Sequence, residues 1–167
     1  MKINDDHMFH GAVLTQIAEH PQFTAINAVR INSEVSRSAF RINDSIGVYL
    51  KYAQKPKPPA HDYTFTFNKD NKSELAKLSQ QCDKLFIAMV CVQDRHVCCI
   101  QYSEFQAWLM KRQRVLGNGE DTSTILVGLP KRKEFRVNMN LPGHRKLYLS
   151  TPQLVARKRF PDALFER

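Results

Sequence analysis

Ile42-Asn43-Asp44-Ser45-Ile46-Gly47-Val48-Tyr49-Leu50-Lys51-Tyr52-Ala53, closed by Gln54-Lys55-Pro56-Lys57-Pro58-Pro59, is the stretch whose reading decides the fold. Asn43-Asp44 tolerates positive φ and supplies a two-residue turn. Ser38–Ile42 ahead of it alternates in polarity, and Ile46–Tyr52 behind it returns as the partner strand of a hairpin. Gly47, early in the returning strand, marks a bulge or a close approach of another segment. The proline-rich run cannot continue a central strand and reads as an exposed loop. A single lysine, Lys51, is left near the strand's end.

Upstream, Asp5-Asp6 can cap a helix from about His7 to His20, stopped by Pro21, with Phe9, Val13, Leu14 and Ile17 on its apolar face. His7 and His10 read as surface histidines, since no acidic third ligand is placed beside them. Phe23–Ile31 is ambiguous. Val29 and Ile31 alternate as in a short strand before Asn32-Ser33-Glu34 breaks the pattern.

Downstream, Tyr63-Thr64-Phe65-Thr66-Phe67 alternates strictly, three aromatics facing one way and two threonines the other. A helix capped by Asn71 or Ser73 follows, with Leu75, Leu78 and Cys82 inward. Leu85–Val92 is apolar throughout, as expected of a strand covered on both faces. Gln93-Asp94-Arg95 turns it and His96–Tyr102 returns. Ser103 then caps a short helix from Glu104 to about Lys111. Beyond it lie strand candidates Ser123–Val127, Phe135–Met139 and Lys146–Leu149, separated by Gly117-Asn118-Gly119 and Leu141-Pro142-Gly143. The predicted class is α+β: an α/β core over residues 1–110 and a basic, β-rich extension over 111–167, packed as one domain.

The 167 residues are enough to bury one core, and 43% hydrophobic with 25% charged content is ordinary for a globular chain. No apolar run is long enough to span a bilayer, and the first residues lack a signal-peptide layout, so no membrane association and a cytosolic location are expected. Cys82, Cys91, Cys98 and Cys99 contain no Cys-x-x-Cys pair and read as buried, reduced thiols. His96 beside Cys98 and Cys99 reads as a hairpin histidine rather than the base of a thiol hydrolase. Glycine-rich phosphate loops and the Gly-x-Ser-x-Gly elbow are absent.

The net charge of +9 is unevenly placed. Residues 1–83 hold 10 Lys/Arg against 9 Asp/Glu, whereas residues 84–167 hold 15 against 7. Four basic clusters fall within residues 111–159: Lys111, Arg112 and Arg114; Lys131, Arg132 and Lys133; Arg145 and Lys146; Arg157, Lys158 and Arg159. Such clusters suit a phosphate backbone, giving salt-dependent affinity with little sequence readout. A nucleic-acid partner, DNA first, is therefore expected.

The order helix, strands, helix, buried strand resembles the αβββαβ core of restriction-endonuclease-like nucleases, a mixed sheet flanked by helices. The resemblance implies two carboxylates holding Mg²⁺ and a lysine that helps activate water. Val48-Tyr49-Leu50-Lys51-Tyr52-Ala53 resembles the strand that carries the acidic-x-Lys pair, with Tyr49 in place of the acid. A protonated tyrosine cannot hold Mg²⁺ as a carboxylate does. On this resemblance the catalytic candidates are Asp44, Lys51 and Glu34, with Mg²⁺ the cofactor if the chain is a nuclease. More loosely, residues 30–110 resemble a family of small bacterial proteins found among restriction-like and mobile-element genes, through Arg41–Tyr52, Tyr63–Phe67 and Phe86–Cys91 together with the final Phe160–Phe165. Three readings stay open: a DNA-binding protein with an inactive nuclease-like core, an active Mg²⁺-dependent endonuclease, and a non-enzymatic interaction protein that forms a homodimer.

Overall fold

A computed structural model describes residues 1–116 and 122–167. Helix α1 (Asp5–Ala18) is capped one residue earlier than expected, by Asn4, whose side chain accepts the His7 amide at 3.0 Å. Asp5 and Asp6 instead fill the first turn, where they oppose the positive end of the helix dipole. Of the two expected surface histidines, His7 is exposed, whereas His10 is corrected by burial. His7 completes the cap, while His10 is buried and bonded to the Arg37 carbonyl.

Strands β1 (Ile26–Ile31), β2 (Glu34–Ile42) and β3 (Ile46–Ala53) form an antiparallel meander. Asn32, Ser33 and Asn43 take the left-handed conformation at its turns. The Asn43 side chain also accepts the amide and hydroxyl of Thr24, at 2.7 and 2.8 Å, which ties the decisive turn to the chain ahead of β1. β2 begins at Glu34, earlier than its polarity pattern shows, because its exposed first residues pair with the end of β1.

β3 is the centre of the first sheet. Its free edge takes β5 (Lys84–Cys91) in parallel, and β6 (His96–Gln101) adds antiparallel to β5, giving the order β1-β2-β3-β5-β6. Parallel neighbours need a long crossover. Here it carries β4 (Asp62–Phe67) and α2 (Lys69–Ser79). Both edges of β3 are occupied, so β4 joins a second sheet of order β4-β7-β8-β9, with β7 (Ser123–Gly128), β8 (Phe135–Met139) and β9 (Gln153–Val155). The division expected at residue 110 is therefore crossed by the β4–β7 pairing.

Three further boundaries differ from expectation. Asn68 caps α2, in a reciprocal pairing with Asn71. Helix α3 runs Tyr102–Leu116, and the Glu104 carboxylate reaches back to the Gln101 amide at 2.7 Å. Lys146–Leu149 contributes only an isolated bridge, Asn140 to Tyr148, because its backbone closes a loop onto Leu141. The Gly117-Asn118-Gly119 separator lies outside the described residues.

The first sheet is covered on both faces. Tyr49, Ile87, Met89, Cys98 and Ile100 face α2, α3 and the aromatic side of the second sheet, where Tyr63, Phe65 and Phe67 lie. Val48, Leu50, Phe86, Ala88 and Cys99 face Val13 and Ile17 of α1 and the apolar tail Phe160–Phe165. Burial pushes the thiols of Cys91 and Cys99 up to about 12, so they stay protonated and act as small apolar groups. Among the described residues no helix is long and apolar enough to cross a membrane.

Gly47 proves to be a close-approach position. A Cβ there would sit 2.8 Å from Cys82 Sγ and 3.1 Å from Leu85 Cδ1. Gly47→Val is expected to cost about 1–3 kcal/mol through overpacking. Chemical denaturation of the two proteins checks this, and equal midpoints would refute the tight contact.

Candidate functional site

Lys51 stands at the end of β3 on the face turned toward α2. Its ammonium donates to the Thr66 carbonyl and to Asn71 Oδ1 at 3.3 Å, and lies 4.7 Å from the centre of the Phe67 ring. Two residues earlier on the same face, the buried Tyr49 hydroxyl accepts from Asn71 Nδ2 at 3.1 Å. Glu74, one helical turn beyond Asn71, interacts with both the Tyr49 hydroxyl and the Lys51 charge. The result is a half-buried polar cluster of Tyr49, Lys51, Asn71 and Glu74 between β3 and α2.

Its electrostatics follow from partial burial. Desolvation lowers the Lys51 amine to about 8, against the opposing pull of Glu74. Desolvation and the neighbouring Asp70 raise the Glu74 carboxyl, and Lys51 opposes that rise. Burial lifts the Tyr49 phenol to about 12, with Glu74 adding to it. Tyr49 is therefore a neutral hydroxyl at physiological pH, and the cluster's carboxylate comes from the helix.

Asp44 and Glu34 do not join this cluster. Glu34 opens β2 and Asp44 lies in the turn just past its end; β2 runs alongside the six residues of β1, with Glu34 opposite Ile31 and Ile42 opposite Ile26, so the two acids lie at opposite ends of that pairing, about 17 Å of strand apart. Asp44 lies in the turn ahead of β3, and the strand from Ile46 to Lys51, about 17 Å of extended chain, separates it from Lys51. Both carboxylates are exposed. Among the described residues no three His, Cys, Asp or Glu side chains group closely enough to hold a metal ion. The triad Asp44, Lys51 and Glu34 is thus corrected: strand geometry brings Lys51 to Glu74 and carries the other two acids away.

The basic clusters divide into four kinds. Arg112 is buried and bonded to Asn140, so it cannot touch a partner, which corrects its expected role. Arg157 clamps the carbonyls of Lys133 and Pro130 at 2.5 and 2.8 Å, and Arg159 pairs with Glu104 at 3.1 Å. These two hold the segment after β9 against the body of the protein. Lys111, Arg114, Lys131, Arg132, Lys133 and Lys158 are exposed and solvated.

Arg145 and Lys146 behave differently. They rim a cleft of about 610 Å³ on the outward face of the second sheet, together with Lys57 and His144. Its floor carries the hydroxyls of Thr64 and Thr66 from β4 and of Thr122 and Thr124 beside and within β7. These are the threonines that strict alternation turns away from the core. Thr66 belongs to both places: its carbonyl receives Lys51 and its side chain lines the cleft. Sequence reasoning missed Asn71, Glu74 and Lys57, which reach their sites only through the crossover.

The chain matches no family model, no curated protein and no solved structure.

The Lys51 amine is held below its unfolded value, so between about pH 8 and 10.5 the unfolded chain binds the proton more tightly. Stability must then rise with pH across that window, the cost of the half-buried ammonium being fully present below it. Lys51→Met should lose that rise. Urea denaturation at pH 7 and pH 9.5 tests it; parallel behaviour of the two proteins would remove the buried-amine assignment.

Proposed function

We propose that this protein binds nucleic acid, DNA in preference, through the threonine-floored basic cleft, on a restriction-endonuclease-like core whose acidic position is held by Tyr49. The convergence of Lys57, Arg145 and Lys146 over Thr64, Thr66 and Thr124 carries the reading. Lysine, arginine and threonine are the groups that bind phosphate and sugar oxygens of a nucleic-acid backbone, and they fix register without reading sequence. Cations gathered at one cleft favour a polyanion over a neutral solute, and the C-terminal charge excess adds a steering field.

The fold supports the second half of the proposal. With β4 diverted to the other sheet, the remaining order α1-β1-β2-β3-α2-β5 follows the αβββαβ pattern, and Lys51 falls at the end of its third strand. In that position Tyr49 supplies a neutral hydroxyl where the nucleases carry a metal-binding acid.

Binding to a fluorescent duplex should weaken steeply with salt. Arg145→Ala together with Lys146→Ala should lower the log–log salt slope by about 2, near one unit per lost phosphate contact. An affinity indifferent to salt would sink the proposal.

One observation favours a second reading. Glu74 brings a carboxylate to the Tyr49–Lys51 pair, so an active Mg²⁺-dependent nuclease would be built on Lys51 and Glu74 rather than on Asp44 and Glu34. Supercoiled plasmid incubated with Mg²⁺ or Mn²⁺ should remain intact under the binding proposal. Nicking that disappears in Glu74→Gln and Lys51→Ala would establish the nuclease instead.

A further inference from the structure

Two of the cleft's cations, Arg145 and Lys146, sit on the loop after β8, and that loop is tied down at both ends. Asn140 is its anchor. The Asn140 side-chain oxygen accepts the Thr124 amide at 2.9 Å and Arg112 Nη1 at 2.6 Å, and its backbone amide donates to the Thr124 carbonyl at 2.9 Å. Its side-chain amide donates onward to the His144 carbonyl at 3.1 Å, immediately before Arg145. Arg112 also donates to the Asn140 carbonyl, so one guanidinium grips both oxygens of the anchor.

The rest of the loop closes on itself. The Leu141 amide donates to the Leu147 carbonyl at 2.6 Å, and the His144 amide to Leu141 at 2.9 Å. Tyr148 ends it by donating its hydroxyl to the buried Asp62 at 2.6 Å. The chain thus leaves the sheet at Asn140 and rejoins it at Tyr148, presenting Arg145 and Lys146 between two fixed points.

Arg112 is 5% exposed, although it belongs to a basic cluster on a surface helix. Burying a guanidinium is costly unless its donors are satisfied, and breaking a buried charged pair leaves an uncompensated group. An ordinary solvated loop does not need such an anchor. Cations meant to meet phosphates do gain from one, because pre-ordering the loop removes that cost from binding.

We infer that Arg112 is a positioning residue of the nucleic-acid site: through Asn140 it holds the loop of residues 141–148 so that Arg145 and Lys146 form a preset phosphate clamp over the threonine floor. The inference rests on the proposed nucleic-acid function for its ligand and on the loop geometry for its mechanism. Arg112 touches no phosphate. It acts from α3 through Asn140, and its influence reaches the ligand through loop order alone.

The test uses the full chain and a fluorescent 20-base-pair duplex of arbitrary sequence. Arg112→Met should weaken binding roughly tenfold, and Arg112→Lys about threefold, because an ammonium keeps the charge but its shorter side chain ends before the Nη1 position that donates to both Asn140 oxygens. In a protein already carrying Arg145→Ala and Lys146→Ala, either change should add almost nothing, since the clamp it positions is gone. Amide hydrogen exchange of the unliganded proteins should show residues 141–148 exchanging roughly tenfold faster in the Arg112 variants, with β3 and β5 unchanged. If Arg112→Met fails to fold, Arg112→Lys supplies both measurements. Full additivity with the loop-cation changes, wild-type affinity in the Arg112 variants, or unchanged exchange in the loop would each overturn the inference. Wild-type protein that binds no duplex would instead overturn the nucleic-acid function, and the exchange measurement would then decide the positioning role by itself.

Discussion

The parallel pairing of β3 with β5 is the constraint on which the rest of the structure depends. Both strands are buried, and each covers the other's edge along its full length, from Ile46 opposite Lys84 to Ala53 opposite Cys91. A parallel pair cannot be closed by a tight turn, so the intervening chain must leave the sheet and return. That excursion sends β4 away to nucleate a second sheet and lays α2 across the first. The two places of chemical interest both follow from it, because Lys51 meets α2 on the return and the threonines of β4 face outward beyond it.

The polar cluster at the end of β3 shows how a buried charge is accommodated without a metal ligand set. Lys51 gains a backbone carbonyl, an amide oxygen, an aromatic face and a nearby carboxylate. Asn71 joins Lys51 to Tyr49 while also capping its own helix through Asn68. Disturbing one member therefore reaches strand, helix start and second sheet together. The Thr66 carbonyl and the Phe67 ring are where this cluster touches the β4 strand that floors the basic cleft.

Most of the strands were legible in the residues. The Asn43-Asp44 turn, the alternating aromatics of Tyr63–Phe67 and the apolar run of Leu85–Val92 carry their own local signals, and each forms the element it announces. Boundaries slipped where a cap came from a neighbouring asparagine, as at Asn4 and Asn68, because several adjacent polar residues are equally able to accept an amide. β9 carries no comparable signal: it is three residues long and ordered by its neighbour β8. The candidate site was legible only in part. Lys51, Arg145 and Lys146 stand out as charges at element ends, whereas Glu74 and Lys57 look like ordinary surface residues until the crossover places them.

By itself, the sequence determined most of the strands and helices, which of their faces are apolar, and that positive charge gathers in the C-terminal half. Those properties depend on the spacing of neighbouring residues and need no partner. Only the tertiary structure decided that β4 leaves the first sheet, that Asp44 and Glu34 lie at opposite ends of a strand, and that Arg112 is an internal anchor rather than a surface cation. Each of these depends on which distant segment occupies a strand edge or covers a side chain, and local periodicity holds no record of that.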